Sequence, residues 1–363
     1  MAFNGIFPAP GIEPTEFGLF AVAKPAFPAD HSDEDKWTRG FSQMYDTLPN
    51  YVRTWDETSS TSFVVSSNPS SALYKEVRPI FIEVEDQRST FDILGEDRFA
   101  RVIKQLEGVS QKALESELWN GEIALAQGLP NIFLSKSSVT VISSGAKFSP
   151  RRGLALLEQY AGEMSPAGEH GVIHLTRDAF VLLTGNNQLF MDNKDTQHMQ
   201  TASGAQVIIG SGYPGDSPHA AIATIAVSSN VATVVTSTAH YFATGESVQI
   251  VALVGATSFS GTYTVTVTNS TTFTFAKTTG NISATAPTGV ANAQMLGDDN
   301  TKWIYATGKV FAHLGKSEVV NDNLAQGYNV SGNANDMKIK ATRSAVAYFD
   351  PSIHIGIKID LTA

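Results

Sequence analysis

Thr262-Tyr263-Thr264-Val265-Thr266-Val267-Thr268, separated by Asn269-Ser270-Thr271 from Thr272-Phe273-Thr274-Phe275-Ala276, sets a threonine against an apolar side chain at every second position. A period of two is the mark of a strand with one buried and one wet face. Further out, the only charged residues from His219 to Met295 are Glu246 and Lys277. Within that island, runs at 222–227, 231–237, 247–251, 262–268 and 272–276 read as five short strands. The pairs Ser229-Asn230, Thr244-Gly245, Ser260-Gly261 and Asn269-Ser270 supply the turns between them. The island, 219–294, is therefore expected to be a small all-β sandwich or barrel. A disordered Ser/Thr linker is the competing reading, and the density of Val, Ile, Phe and Tyr opposes it. Charge returns at ordinary density on both sides, so the flanks are expected to form one host domain into which the module is inserted.

The whole chain has 363 residues, 42% of them hydrophobic, enough to bury one large core or two smaller ones. Its 25 basic and 35 acidic residues give a net charge of −10, without a basic stripe to follow a phosphate backbone, so sequence-specific nucleic-acid binding is not expected. With no cysteine, neither a disulfide framework nor a thiolate metal site is available. There is no basic region followed by an apolar run near Met1, and no run of about 18 apolar residues anywhere, so neither a signal peptide nor a membrane span is expected.

The first fifty residues interleave Phe3, Ile6, Phe7, Phe17, Phe20 and Phe27 with Pro8, Pro10, Pro14, Pro25 and Pro28, which predicts an extended arm rather than a helix. An arm so rich in Phe has to cover a surface, and a neighbouring subunit is the favoured one; its own domain and a disordered tail are the alternatives. Runs at 62–65 and 73–85 around a Ser/Asn/Pro turn read as a long projecting hairpin. Then Phe99, Val102, Ile103, Leu106, Val109, Ala113, Leu114 and Leu118 recur at helical spacing, with Arg101, Lys104, Gln105, Lys112, Glu115 and Ser116 on the other faces. This predicts a helix over 97–119 ended by Gly121. Beyond it, Ser149-Pro150 opens a helix, 171–175 reads as a buried strand, and Thr176 caps a helix over 177–183 closed by Gly185. Residues 206–210, 303–311, 344–349 and 353–361 are strand-like. Helices and strands are mixed without regular alternation, so the fold class is α+β.

The chain is sparing with chemistry. Glu163, Glu169, His170 and His174 are the best local grouping for a metal, but His170 and His174 flank a strand and would not share a helix face. Asp30, Asp33, Glu34 and Asp35 lack the glycine and terminal glutamate of a calcium loop and read as solvated charge. Gly210-Ser211-Gly212-Tyr213-Pro214-Gly215 has no Lys-Ser/Thr behind it, so it reads as a loop and not a phosphate cradle. His240 reads as a turn residue. No catalytic, cofactor-binding or metal-binding residue is assigned, no cofactor is expected, and the chain is read as a non-enzyme.

Several stretches are similar to one family. Residues 98–121, ending Leu114-Glu115-Ser116-Glu117-Leu118-Trp119-Asn120-Gly121, resemble the long helix of major capsid proteins from tailed phages of actinobacteria. In order there follow Gly171-Val172-Ile173-His174-Leu175-Thr176, Ser203-Gly204-Ala205 through Gly212-Tyr213, Trp303-Ile304-Tyr305-Ala306-Thr307-Gly308-Lys309-Val310, and Arg343-Ser344-Ala345-Val346-Ala347-Tyr348-Phe349-Asp350-Pro351. The island is similar to small β modules of phage virion proteins through residues 239–250 and 261–265. The resemblance implies the Hong Kong 97-type capsid fold: an N-terminal arm (1–57), an extended loop (58–90), a peripheral domain with a spine helix (91–149), an axial domain (150–218 and 295–340) interrupted by the β module (219–294), and C-terminal strands (341–363) returning to the peripheral domain. It implies a self-assembling homo-oligomer of hexamers and pentamers in the head of a virion, put together in the host cytoplasm. Portal and scaffolding proteins would be its partners, with non-specific contact to packaged double-stranded DNA and none to membrane. Some relatives crosslink Lys to Asn; Lys75 and Asn321 are present, but no carboxylate matches the catalytic one, so no covalent bond is expected. The island would be a decoration on the outer surface or a contact to neighbouring capsomers. The alternative is a tail or fibre protein whose island binds carbohydrate.

Overall fold

The computed structural model describes residues 17–27, 37–44, 74–89, 98–165, 170–184, 189–191, 199–321 and 336–363. Helices and sheets are mixed without a repeating unit, as α+β requires. The α-helices lying wholly within the described residues are α1 (Leu19–Val22), α2 (Arg98–Asn120), α3 (Glu122–Gln127), α4 (Pro150–Met164) and α5 (Arg177–Thr184). Among the described residues none is long and apolar enough to cross a membrane.

The island strands pair with one another. The sheet runs Gly261–Thr264, Ser247–Val251, Asn292–Met295, Ala220–Ser228, Val231–Thr236, Thr272–Ala276, Thr266–Asn269, with Ile282–Thr285 also on Ala220–Ser228. Its two end strands are joined through Val265 alone, so the sheet curls back on itself around Val265, Val248, Ile250, Ile225, Val234 and Phe273, all buried. The alternation predicts a single strand over 262–268. Val265 instead turns inward, donating its N–H to Glu246 O at 3.1 Å while its carbonyl accepts Gly245 N–H at 2.9 Å, which breaks the run. The turn Ser229-Asn230 has both residues left-handed, φ 50° and 64°, the two-residue geometry that matches strand twist.

Among the described residues the host has a two-stranded sheet, Phe41–Met44 with Tyr74–Val77, and two large ones. One orders Lys24–Pro25, Val310–Asn321, Asp336–Phe349 and Ile80–Ser89. The other, central, orders Thr140–Val141, His354–Asp360, Thr301–Thr307, Val172–Leu175, Gln206–Ile209, Met199–Thr201 and Leu189–Met191. Alternation along the central strands divides the core. Ile304, Ala306, Ile173, Leu175, Ile355 and Ile357 meet α4 and α5 through Leu154, Leu157, Ala179 and Leu183. Trp303, Tyr305 and Val172 face the opposite side, toward Trp119 of α2. Each large side chain buried in this way contributes about 1.5–3 kcal/mol.

The host departs from expectation as well. The arm is not wholly extended: no proline lies between Phe17 and Ala23, and α1 closes one turn with Ala23 N–H on Leu19 O at 2.9 Å. This part packs on its own domain, the alternative to a neighbour, since Leu19 and Val22 are buried in their own chain and Lys24–Pro25 runs parallel to Val310–Asn321. Residues 73–85 are not one strand of a hairpin. Pro79 splits them into Tyr74–Val77, paired with Phe41–Met44, and Ile80–Ser89, paired along Asp336–Phe349. Residues 303–311 divide likewise at Gly308, whose N–H turns to Ile353 O at 3.1 Å. The hairpin's other arm at 62–65, residues 1–16, the acidic run Asp30 to Asp35, Glu169 and Gly185 lie outside the described residues.

Candidate functional site

The long helix α2 has 23 residues, about 34 Å at 1.5 Å per residue. It ends where expected: Gly121 is left-handed, φ 60°, and a Cβ there would lie 2.1 Å from the Phe133 ring. Glu117 reaches past this break and accepts Ile123 and Ala124 N–H, both at 2.9 Å, so it caps α3. Burial raises the Glu117 pKa, against those two N–H groups, which lower it.

The apolar stripe is narrower than the spacing predicts. Val102, Leu106, Leu114, Leu118 and Trp119 are buried, whereas Phe99 and Val109 are exposed. The surprise is polar. Glu115, placed by its spacing on an outer face, is fully buried, as are Ser110 and Gln111. Its carboxylate gathers four donors: Leu19 N–H at 3.0 Å and Gln111 Nε2 at 2.9 Å on Oε1, Ser211 Oγ at 3.0 Å and Gly212 N–H at 2.9 Å on Oε2. A buried charge survives only when so satisfied. The Gly-rich loop therefore holds a protein carboxylate, not a phosphate. It comes so close that a Cβ on Gly212 would lie 2.2 Å from Lys112 O.

At the C-terminal end of α2 the two stalks of the island meet. Asn120 donates to Asp216 Oδ2 at 2.9 Å, and its Oδ1 accepts Gln294 Nε2 at 2.9 Å. Gln294 also donates to Ser217 O at 2.8 Å, and Met295 N–H donates to Ser217 Oγ at 2.9 Å. His219 lays its Nε2 on Asn120 O at 3.0 Å, with burial pushing its pKa down to about 4. Asp216 Oδ1 accepts Gly297 N–H at 2.8 Å, while its backbone O accepts Tyr305 Oη at 3.0 Å and Trp119 Nε1 at 3.3 Å. One side chain at the helix terminus thus binds both the incoming and the outgoing strand of the island.

His174 stands behind this clamp. Thr307 Oγ1 donates to Gly308 O at 3.0 Å, so it accepts from His174 Nε2–H at 2.9 Å, which leaves Nδ1 to accept the Tyr213 hydroxyl at 2.9 Å. Burial, with the nearby His354, drops the His174 pKa to about 3, and burial raises Tyr213 well above its usual value. Near neutrality His174 is therefore uncharged, and this chain of hydrogen bonds fixes its position. The grouping proposed for a metal comes apart: His174 is spent here, and Glu163 is exposed and accepts Gln159 at 3.1 Å. Among the described residues no three His, Asp or Glu side chains are placed to hold an ion. His240 lies in the loop between Val231–Thr236 and Ser247–Val251, and it is almost fully buried there.

Sequence reasoning passed over Asn120, Asp216, Ser217 and Gln294. The available signal was positional, since all four lie at the end of the long helix or the edges of the uncharged island.

No family model and no curated protein matches the chain. Solved structures do. The capsid of an empty GTA particle aligns with 99% of this chain and 95% of its own at 8% identity and TM-score 0.45. A Microbacterium phage Oxtober96 chain aligns over 99% and 95% at 11% identity and TM-score 0.43. A Mycobacterium phage Ogopogo chain aligns over 98% and 94% at 11% identity and TM-score 0.38.

Proposed function

We propose that this chain is the major capsid protein of a tailed phage, a non-enzymatic subunit that assembles as hexamers and pentamers into the icosahedral shell around double-stranded DNA. The observation that carries the reading is α2. The stretch that resembles the spine helix of that family is the element on which the host is built. Its C-terminal half receives α1 at Leu19, the 210–217 loop at Glu115 and both island stalks at Asn120. The other family-like stretches lie in the strands around it: Val172–Leu175, Gln206–Ile209, Thr301–Thr307 and Asp336–Phe349.

In this reading the sheet of long strands with α2 is the peripheral part, and the central sheet with α4 and α5 is the axial part. The C-terminal strands are shared, Asp336–Phe349 going to the first and His354–Asp360 to the second. A net charge of −10 suits a lining that encloses DNA without gripping it. Portal and scaffolding proteins are its expected partners. The island either decorates the outer surface or contacts neighbouring capsomers. Mass spectrometry of separated head and tail fractions of the source virion tests the assignment: this chain should be the abundant head protein, and its confinement to tails would overturn it.

A further inference from the structure

The island touches the host a second time, away from its stalks. The loop between Val231–Thr236 and Ser247–Val251 leaves the island sheet and reaches the last host strand, His354–Asp360. There Lys358, 1% exposed, sets Nζ 2.7 Å from Glu246 Oε1 and donates to Tyr241 O at 3.1 Å. Glu246 Oε2 accepts Ala243 N–H at 2.8 Å, which folds the loop around its own carboxylate. Lys147 stands 3.8 Å from Glu246 and donates to Thr301 Oγ1 at 2.7 Å. The island's only carboxylate is thus spent on the host.

The same loop carries His240. Its Nδ1 accepts Phe242 N–H at 3.0 Å, so the ring is the Nε2–H tautomer, and that N–H meets Asn269 O at 2.9 Å. Phe242 stacks on it at 4.6 Å and Phe273 packs edge-on at 5.4 Å. A second proton on Nδ1 would point a donor at a donor and break the bond to Phe242.

We propose that the Glu246–Lys358 pair is a latch that fixes the attitude of the island on the host, and that protonation of His240 releases it. Burying two charges offsets most of their attraction, so such a pair selects one arrangement more than it stabilises the fold. Burial lowers the Lys358 pKa against the raising effect of Glu246, as that balance requires. His240 is also held below its ordinary value, first by burial and further by the charge of Lys358, while Asn269, Thr272 and Glu246 act the other way. The charges facing the latch are Lys358, Glu246, Lys147 and Asp298. The closed loop therefore binds a proton less readily than an open one. Closure is complete above about pH 6.5, and the open fraction rises by up to roughly tenfold per pH unit below it.

Hydrogen exchange of the full-length protein, read by mass spectrometry on peptides covering 238–246, tests this. At pH 7.5, Lys358→Met should raise opening of that loop at least tenfold while Thr272–Ala276 inside the island keeps its protection. In the unmodified protein, chemistry-corrected opening should rise between pH 7.5 and 5.5. In His240→Asn, whose side-chain oxygen still accepts Phe242 N–H, it should stay flat. An unchanged loop in Lys358→Met, or an acid response that survives in His240→Asn, overturns the proposal. Should a variant fail to fold, the unmodified protein decides alone: no rise between pH 7.5 and 5.5 overturns the latch.

Discussion

At Glu115 four donors converge on one carboxylate, so its loss strands Leu19 N–H and Gln111 in the interior and leaves Ser211 and Gly212 N–H, both half-buried, without their acceptor. Each orphaned donor costs about 1–3 kcal/mol, partly relieved by relaxation or water, and Glu115→Ala should destabilise the chain by about 3–5 kcal/mol in chemical denaturation. Glu107 on the same helix is exposed, and Glu107→Ala should change stability by no more than about 0.5 kcal/mol. Acid acts on the buried histidines. His174, His219 and His354 have pKa values lowered by burial to about 3, 4 and 4. Their folded forms bind protons less readily than the unfolded chain, so stability is present above pH 6.5 and falls toward pH 4. Asp216 and Glu117, raised by burial, work in the opposite direction and soften the fall. Urea midpoints should drop steadily from pH 7 to pH 4.5, and His354→Gln should flatten that slope; a midpoint that holds constant would contradict the assignment.

At the scale of elements, the legible parts were those whose pattern is set by one face. The Thr/Val and Thr/Phe alternation of the island, the 3.6-residue stripe of α2, Pro150 at the start of α4 and Gly121 at the end of α2 each follow from local chemistry. What escaped was fixed by partners distant in sequence. Asn292–Met295 has no branched residue, and it is a strand because Ala293 faces Ile250 and Gln294 closes the Asn120 clamp. Glu115 reads as outward because a helix sequence does not show what the 210–217 loop will bring to it. Two glycines distinguish close approach from backbone strain. Gly212→Ala would drive a methyl into Lys112 O and lift the loop from Glu115, costing about 2–4 kcal/mol, whereas Gly128, left-handed at φ 64° with nothing within 4 Å, should lose only about 1 kcal/mol as Ala. Thermal melts of the pair separate the two effects.

For the whole molecule, the island was visible as a gap in charge, but its attachment was not. Two tethers hold it, the Asn120 clamp at its stalks and Lys358 on the last host strand. Ala220 and Ala293 are ladder partners, so a short Gly-Ser linker in place of 221–293 spans their gap. That deletion strands Lys358, and it should be combined with Lys358→Met; the host should then melt cooperatively, and lost cooperativity would show the island to be part of its core. If shells of this variant form and survive heating, the island is a surface decoration; if they fail to form or fall apart, it is a contact between capsomers. The central claim is assembly itself. Electron microscopy of the purified chain, alone and with the scaffolding protein that the proposed function calls for, should show closed shells tiled by hexamers and pentamers, with the island protruding outward. Tubes, small rings or persistent monomers under both conditions would contradict it.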